Sequence, residues 1–355
     1  GADRLIVVVG YESDRVRDHF GSQHGGVDLE YAVQQQQRGT ADAVSAAAPL
    51  LADGPFVVLN GDALYDPASL GTLYSNGPAV GSYRVDNPSA YGVLQLADAD
   101  DSRVTGVVEK PATPESNLIN TGAYVFPADA QELLGVETSE RGELELTDVL
   151  EAVCNQFSVT AVPFDRWLDV GRPWELLAAN EWLLESLSTR LDGEVHDGAD
   201  LSGPVVVEEG ATVKSGVCIE GPVYVDRGAT VGPNAYVRGS TYLGPGAKVG
   251  NAVEVKNSIL MADATVGHLS YVGDSVLGQR VNFGAGTKVA NLRHDGEAVE
   301  LTVKGERVST GRRKLGVIVG DDAKTGINTS LNAGVVLGTG MTTEPGEVLT
   351  RDRWE

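Results

Sequence analysis

Between Leu201 and Asn291 an apolar residue recurs at every sixth position: Val207, Val213, Ile219, Val225, Val231, Val237, Leu243, Val249 and Val255. An α-helix repeats near about 3.6 residues and a half-buried strand near about 2, so neither sustains a period of six. The pattern is that of a left-handed parallel β-helix, whose three flat faces each consume one hexad per turn. One branched side chain per face points into a narrow prism, and glycines such as Gly210 and Gly228 turn the corners. The register slips by one near Leu260, resumes at Val266 and Val272, slips again, and continues at Leu277, Phe283 and Val289. After an interruption it returns at Val319, Thr325, Leu331 and Leu337.

The residues before the hexads follow a different rule. Leu5 to Val9 is a continuous apolar run, as in a strand buried on both faces of a parallel sheet. Helix is expected over Ser13 to Phe20, with Ser13 as N-cap, and strand over Val27 to Val33. An alanine-rich helix from Thr40 to Leu51 leads to a strand at Phe56 to Leu59. This alternation indicates a doubly wound α/β sheet. Shorter strands over Val80–Tyr83, Gly92–Leu96 and Val104–Glu109 suggest a more antiparallel region; Leu118–Phe126 leads into a further strand, and Val159–Val162 precedes the strand end at Trp167. Helices are expected over Leu144–Val153 and from Pro173 to Leu187. The chain of 355 residues thus divides into an α/β domain over 1–187, a polar linker over 188–200 and a β-helix over 201–355.

The net charge of −23 opposes nucleic acid as a partner, because phosphate would be repelled. Acidic residues are spread along the chain and Lys is scarcer than Arg, as on proteins of salt-loving microbes, although an acidic mesophile protein fits too. No apolar run is long enough to span a bilayer, so no membrane partner is expected. Cys154 and Cys218 fall in different domains and fit a reduced, cytoplasmic setting.

Several stretches carry chemistry. Gln34 to Thr40, QQQQRGT, precedes a helix, and Asn60-Gly61-Asp62 follows a buried strand. Ligands of open α/β sheets bind beyond the carboxyl ends of strands, which is where both loops lie. Asp62, and Asp169 in the strand-end sequence Trp167 to Gly171, could hold Mg²⁺ together with substrate phosphates; Asp62 could equally be a turn residue. His268 falls at a turn between hexads, either as a solvated surface residue or as a base. From Asn291 to Lys314 the period stops, and this polar insertion is either a binding loop or a solvated charge run. No His and Cys cluster suggests zinc, and there is no phosphate-binding P-loop or dinucleotide glycine fingerprint.

In order, QQQQRGTADAV, VVLNGD, YGVL, VVEKP, INTGAYVF, GELELTD, WLDVG and the hexads run along nearly the whole chain. Together they resemble the sugar-1-phosphate nucleotidylyltransferases that end in a left-handed β-helix. The resemblance is nearest to the bifunctional N-acetylglucosamine-1-phosphate uridylyltransferase / glucosamine-1-phosphate N-acetyltransferase enzymes and their archaeal relatives. It implies a Rossmann-like α/β nucleotidyltransferase domain and a trimerising β-helix. It sets Gln34, Gln37, Gly39 and Thr40 against the nucleotide, UTP or dTTP. Asp62 and Asp169 would share Mg²⁺; Gly92, Glu109 and Asn120 would hold the sugar, with Lys110 near its phosphate. In the β-helix, VGHLSYVGD and VNFGAGT make His268 the general base of acetyl transfer from acetyl-CoA. Arg238, Lys256, Tyr271, Asn282 and Asn291 would bind the amino-sugar phosphate, with Ala285 near the thioester.

The resemblance has one gap. The family opens with a strand and a glycine-rich loop carrying Arg and Lys, whereas Gly1 enters at what resembles the family's second strand. A fragment is therefore expected, with nucleotidyl transfer impaired for want of that phosphate cradle. Two other readings compete: a thymidylyl- or uridylyltransferase acting on glucose-1-phosphate with a purely structural β-helix, and an inactive regulatory or assembly subunit. Paired carboxylates at Asp62 and Asp169 oppose the last.

Overall fold

The computed structural model describes residues 2–98, 101–139 and 141–354. The chain forms two compact units, the first ending at Asp169 and the second beginning at Val170.

In the first unit, β1 (Arg4–Val9) is followed by α1 (Ser13–Phe20), the short edge strand β2 (Gln23–His24) and β3 (Val27–Val33). β1 and β3 pair in parallel along their length, from Arg4 opposite Asp28 to Val9 opposite Val33. This is the expected strand–helix–strand crossover. Ser13 is not the N-cap: Glu12, at φ 49°, holds that place without a side-chain cap, and Ser13 is already helical.

Next come α2 (Thr40–Ala47), β4 (Phe56–Leu59), β5 (Ala63–Tyr65), α3 (Pro67–Ser75) and β6 (Ala79–Arg84). β7 (Gly92–Leu96), β8 (Arg103–Glu109), β9 (Leu118–Phe126), α4 (Leu146–Cys154), β10 (Val159–Pro163) and β11 (Trp167–Asp169) complete the unit. Six strands form a mixed sheet in the order β4-β9-β6-β10-β8-β7, in which only β10 lies parallel to its neighbour β6. The doubly wound pattern therefore stops after β3. Between β6 and β9 the connections hold no α-helix, and antiparallel pairing needs no crossover helix, unlike parallel pairing. The buried face of α4, with Leu146, Val149, Leu150 and Val153, packs on Phe56, Val80, Leu94 and Phe126. Cys154 joins the edge of that core.

The second unit is a three-sided parallel β-solenoid with two eight-stranded faces and one seven-stranded face. Val207 pairs with Val225 and Val225 with Leu243, so a regular coil advances three hexads. Leu243 pairs with Leu260 and Leu260 with Leu277, one residue short each time, which accounts for both register slips. The inward column is almost wholly aliphatic. Thr325 takes one inward place because its hydroxyl accepts the Gly284 N–H at 3.0 Å and lies 2.8 Å from the Thr287 hydroxyl.

Two expectations fail here. Residues 188–200 are not a linker: Arg190–Leu191, Glu194–Val195 and Asp200–Ser202 are strands, each paired with the coil that follows. Of the two readings of the insertion, a binding loop or a solvated charge run, the second fails, because part of the insertion is buried. Its strands Glu300–Val303 and Glu306–Ser309 form a hairpin turning at Lys304 (φ 50°) and Gly305 (φ 87°). Outside one face runs an apolar ladder of Tyr242, Ile259, Val276, Ile318 and Val336. The hairpin's Val299 and Leu301, with Trp174 and Leu177 at the start of α5 (Glu175–Glu185), bury that ladder. Packing thus assigns α5 to the solenoid, although the sequence placed it in the first domain.

Candidate active sites

The Gln34–Thr40 loop is tied on both sides. The Gln34 side chain donates to Gly39 O at 3.0 Å and to the Asp42 carboxylate at 2.9 Å. That bond, with the Arg38 guanidinium behind it, holds the Asp42 carboxyl below its ordinary range. Gln37 lies against the turn at Gly10, where an added β-carbon would meet its amide at 3.4 Å. Thr40 accepts the Leu146 N–H at 2.9 Å, and Ala41 N–H donates to Leu144 O at 2.9 Å. The loop is therefore pinned between β3 and the start of α4.

Asp62 and Asp169 come together through a short ladder. β11 pairs antiparallel with β5 so that Asp169 faces Ala63, the residue after Asp62. Tyr65 marks the convergence. Burial pushes its phenol well above the ordinary range, and the charges of Asp62 and Asp169 add to that shift. Its oxygen accepts the Asn60 N–H at 3.1 Å and lies 3.2 Å from Gly122 O. Among the described residues no group of three or more metal-binding side chains assembles, so any cation here takes two carboxylates and further oxygens from substrate or water.

Gly92 faces Glu109 across β7 and β8, and a β-carbon there would lie 2.8 Å from Glu109 Oε2. Glycine thus gives that carboxylate its room. Burial raises the Glu109 carboxyl despite Lys110 at 3.9 Å and Arg141 at 3.3 Å. Arg141 also lies 3.0 Å from Glu145 Oε1 at an angle that makes no hydrogen bond, so that oxygen and the buried Thr147 hydroxyl stay unsatisfied. Asn120 donates to the Tyr124 phenol at 2.6 Å and accepts the Gly122 N–H at 2.9 Å. Asn120, Glu109, Glu145 and Tyr124 form one electrostatic cluster, since the two carboxylates act on the Tyr124 phenol.

In the solenoid, His268 closes the strand Thr265–His268 at a corner, opposite Asn251 of the preceding coil. Its imidazole is exposed, with no hydrogen-bond or ion-pair partner among the described residues, while its carbonyl accepts from Ser270 and Gly286. Across that corner, Tyr271 pairs with Glu254, and Lys256 with Arg238 and Gly273. Each lies next to an inward valine, so these side chains face out together. Arg238 donates to Glu254 at 2.8 Å. Lys256 Nζ contacts both Asp274 oxygens, at 2.8 and 3.0 Å, and Asn291 donates to Asp274 and, at 3.1 Å, to Tyr271. Asn282 does not join them: it pairs with Thr265 and points out from the neighbouring face. Ala285 follows on that face, one coil beyond His268, with its carbonyl bonded to Asn328 N–H.

Several members of these clusters were missed in the sequence. Asp274 ends the quoted VGHLSYVGD but was given no role, and Tyr65, three residues after Asp62, was not singled out. Arg141 and Glu145 lie in RGELE, where the i and i+4 spacing of opposite charges was the available signal.

The nucleotidyl transferase family matches residues 1–186, and the family described as the GMPPB C-terminal domain matches residues 219–338. A Methanococcus vannielii protein named bifunctional protein GlmU is 41% identical over 346 residues, 95% of this chain and 81% of its own. A Sulfurisphaera tokodaii protein named bifunctional sugar-1-phosphate nucleotidylyltransferase/acetyltransferase is 43% identical over 79% of this chain and 70% of its own. A Haloferax volcanii protein named low-salt glycan biosynthesis nucleotidyltransferase Agl11 is 33% identical over 80% of this chain and 82% of its own. The chain therefore belongs to the nucleotidyl transferase family, with the bifunctional GlmU and sugar-1-phosphate nucleotidylyltransferase/acetyltransferase proteins, and is a transferase.

Proposed function

We propose that this chain makes a nucleotide-activated N-acetylated amino sugar in two steps, one per unit. The observation that carries the reading is the cluster of Lys256, Asn291 and Tyr271 beside the corner of His268, in a chain whose relatives carry bifunctional names. In the solenoid, taken as left-handed, the amine of an amino-sugar-1-phosphate attacks the thioester carbon of acetyl-CoA. The new C–N bond forms and the C–S bond breaks; His268 takes the amine proton and passes it to the departing sulfur, so that coenzyme A leaves as thiol. Arg238, Lys256, Tyr271 and Asn291 hold the phosphate and fix the amine's approach. Asn282 and Ala285 lie on the adjacent face, which supports a site completed by a neighbouring copy in a homotrimer.

In the first unit a sugar-1-phosphate oxygen attacks the α-phosphorus of UTP or dTTP and expels pyrophosphate. Gln34, Gln37, Gly39 and Thr40 would position the nucleotide, and Gly92, Glu109, Lys110 and Asn120 the sugar phosphate. Asp62 and Asp169 would hold Mg²⁺, an oxygen-seeking cation that suits two carboxylates and neutralises phosphate charge. The acidic surface fits a cytoplasm rich in salt, and no helix among the described residues is long and apolar enough to cross a membrane.

The test is thiol release from acetyl-CoA with glucosamine-1-phosphate in molar KCl. His268→Ala is expected to lower it at least about 100-fold. A second reading, nucleotidyl transfer with the solenoid as scaffold, is favoured by the Haloferax relative, whose name states only the nucleotidyltransferase. A folded wild-type chain that releases no thiol with glucosamine- or galactosamine-1-phosphate would overturn the acetyl-transfer step and favour that second reading, which pyrophosphate release then tests.

A further inference from the structure

Parallel coils stack equivalent corners in columns, and one column runs Gly203, Gly221, Gly239, Asn257, Asp274, Gly316 and Gly334. Five of these seven corners carry no side chain. Gly203, Gly239 and Gly334 there have φ between 64° and 78°, and Asn257 and Asp274 share the left-handed conformation at 47° and 51°. Aspartate and asparagine tolerate that conformation better than other side chains, but a buried carboxylate carries a desolvation cost that glycine lacks. Asp274 is nonetheless only 2% exposed. Both of its oxygens are fully engaged: Oδ1 accepts from Lys256 and Asn257, and Oδ2 from Lys256 and Asn291. Asn257 is in turn held by Glu181 of α5, which also binds Arg312 beyond the hairpin. The chain thus keeps a costly residue at a corner where its own repeats use glycine, and every donor it gathers comes from around the proposed acceptor site.

We propose that Asp274 is the positioning residue of that site: it aims the Lys256 ammonium and the Asn291 amide at the phosphate of the acetyl acceptor. This inference rests on the acetyl-transfer reading above. The charges give it a distinctive sign. Lys256 is paired with Asp274 and Arg238 with Glu254, so the face offers a dianion aimed donors rather than net positive charge. Removing the Asp274 charge makes the face more positive. Coulomb attraction alone then tightens acceptor binding, whereas lost aim weakens it.

The experiment compares wild type, Asp274→Asn and Asp274→Gly in the thiol-release assay, varying glucosamine-1-phosphate and acetyl-CoA separately. Asparagine keeps the shape and tolerates the left-handed corner; glycine is what five other coils carry there. In both variants the KM for glucosamine-1-phosphate is expected to rise about tenfold or more, with the KM for acetyl-CoA within about twofold. Both variants are expected to keep a cooperative melting transition, at a lower midpoint because the donors of Lys256 and Asn291 lose their partner. A KM for the sugar phosphate that is unchanged or lower overturns the proposal. So does loss of folding in both variants, which would make Asp274 structural only. Wild type without thiol release sinks the acetyl-transfer reading itself; active wild type with indifferent variants sinks only the role of Asp274.

Discussion

A β-carbon on Gly39 would lie 2.4 Å from the carbonyl oxygen of Leu144 and 2.7 Å from its nitrogen. Both are backbone atoms held in place, because Leu144 N–H donates to Arg38 O at 2.7 Å and its carbonyl accepts from Ala41. Gly39 also sits at φ 127°, where side chains are disfavoured. Gly39→Ala must therefore move the Gln34–Thr40 loop away from α4. We expect a loss of at least about 1–3 kcal/mol, read as a lower thermal midpoint of the first unit. An unshifted midpoint would show that the loop yields freely.

The Glu109 carboxyl offers a pH test. Burial raises it above its ordinary value of 4.5, against the smaller opposing pulls of Lys110 and Arg141. Ionising a carboxyl with a raised folded pKa costs stability. The cost is absent below the unfolded value, grows as pH rises from 4.5 through the folded value, and is constant above it. Glu109→Gln lacks this dependence. The stability of wild type minus that of Glu109→Gln, followed by melting at fixed salt from acid to neutral pH, is expected to fall with rising pH. A difference that stays flat or rises would contradict the burial of this carboxyl.

The two units were not equally legible in the sequence. The solenoid could be read because one inward residue per hexad is forced by a narrow core, and even the slips at Leu260 and Leu277 map onto coils one residue short. Its first coil was lost because the period breaks there: Val195 lies six before Leu201, but Leu191, which pairs with Val207, comes only four before Val195. The hairpin was hidden by its charged residues, although Val303-Lys304-Gly305-Glu306 is the tight-turn signal between alternating strands. In the first unit the strand ends at Asp62 and Asp169 stood out by position. In the solenoid, Asp274 acts through Lys256, Asn257 and Asn291, a full coil away in sequence, and no local pattern marks such a contact.

Leu260 measures what the inward column contributes. It is fully buried, stacked between Leu243 above and Leu277 below. Leu260→Ala leaves a cavity that two flanking coils cannot both close, so we expect a cost of about 2–5 kcal/mol. Urea unfolding followed by the β-sheet circular-dichroism signal reads it directly. A midpoint within error of wild type would mean that the coils collapse onto the gap.

Leu269 should respond in the opposite direction. It follows His268 at the corner whose column includes Gly216, Asn234, Ala252, Gly286 and Asn328, all in the left-handed conformation. Leucine is the bulkiest residue in that column; its φ is 53°, and it is 60% exposed, so it buries little apolar surface in return. A leucine held there costs about 1–2 kcal/mol relative to a residue that accepts the conformation. Asparagine does so at Asn234 and Asn328 of the same column. Leu269→Asn is therefore expected to raise stability by about 1 kcal/mol, a shift of about 2–4 °C for a unit of this size. Acetyl transfer is expected to fall in the same variant, because strain kept beside a candidate base points to use of the side chain there. A variant that is both more stable and fully active would show that the leucine has no part in the reaction.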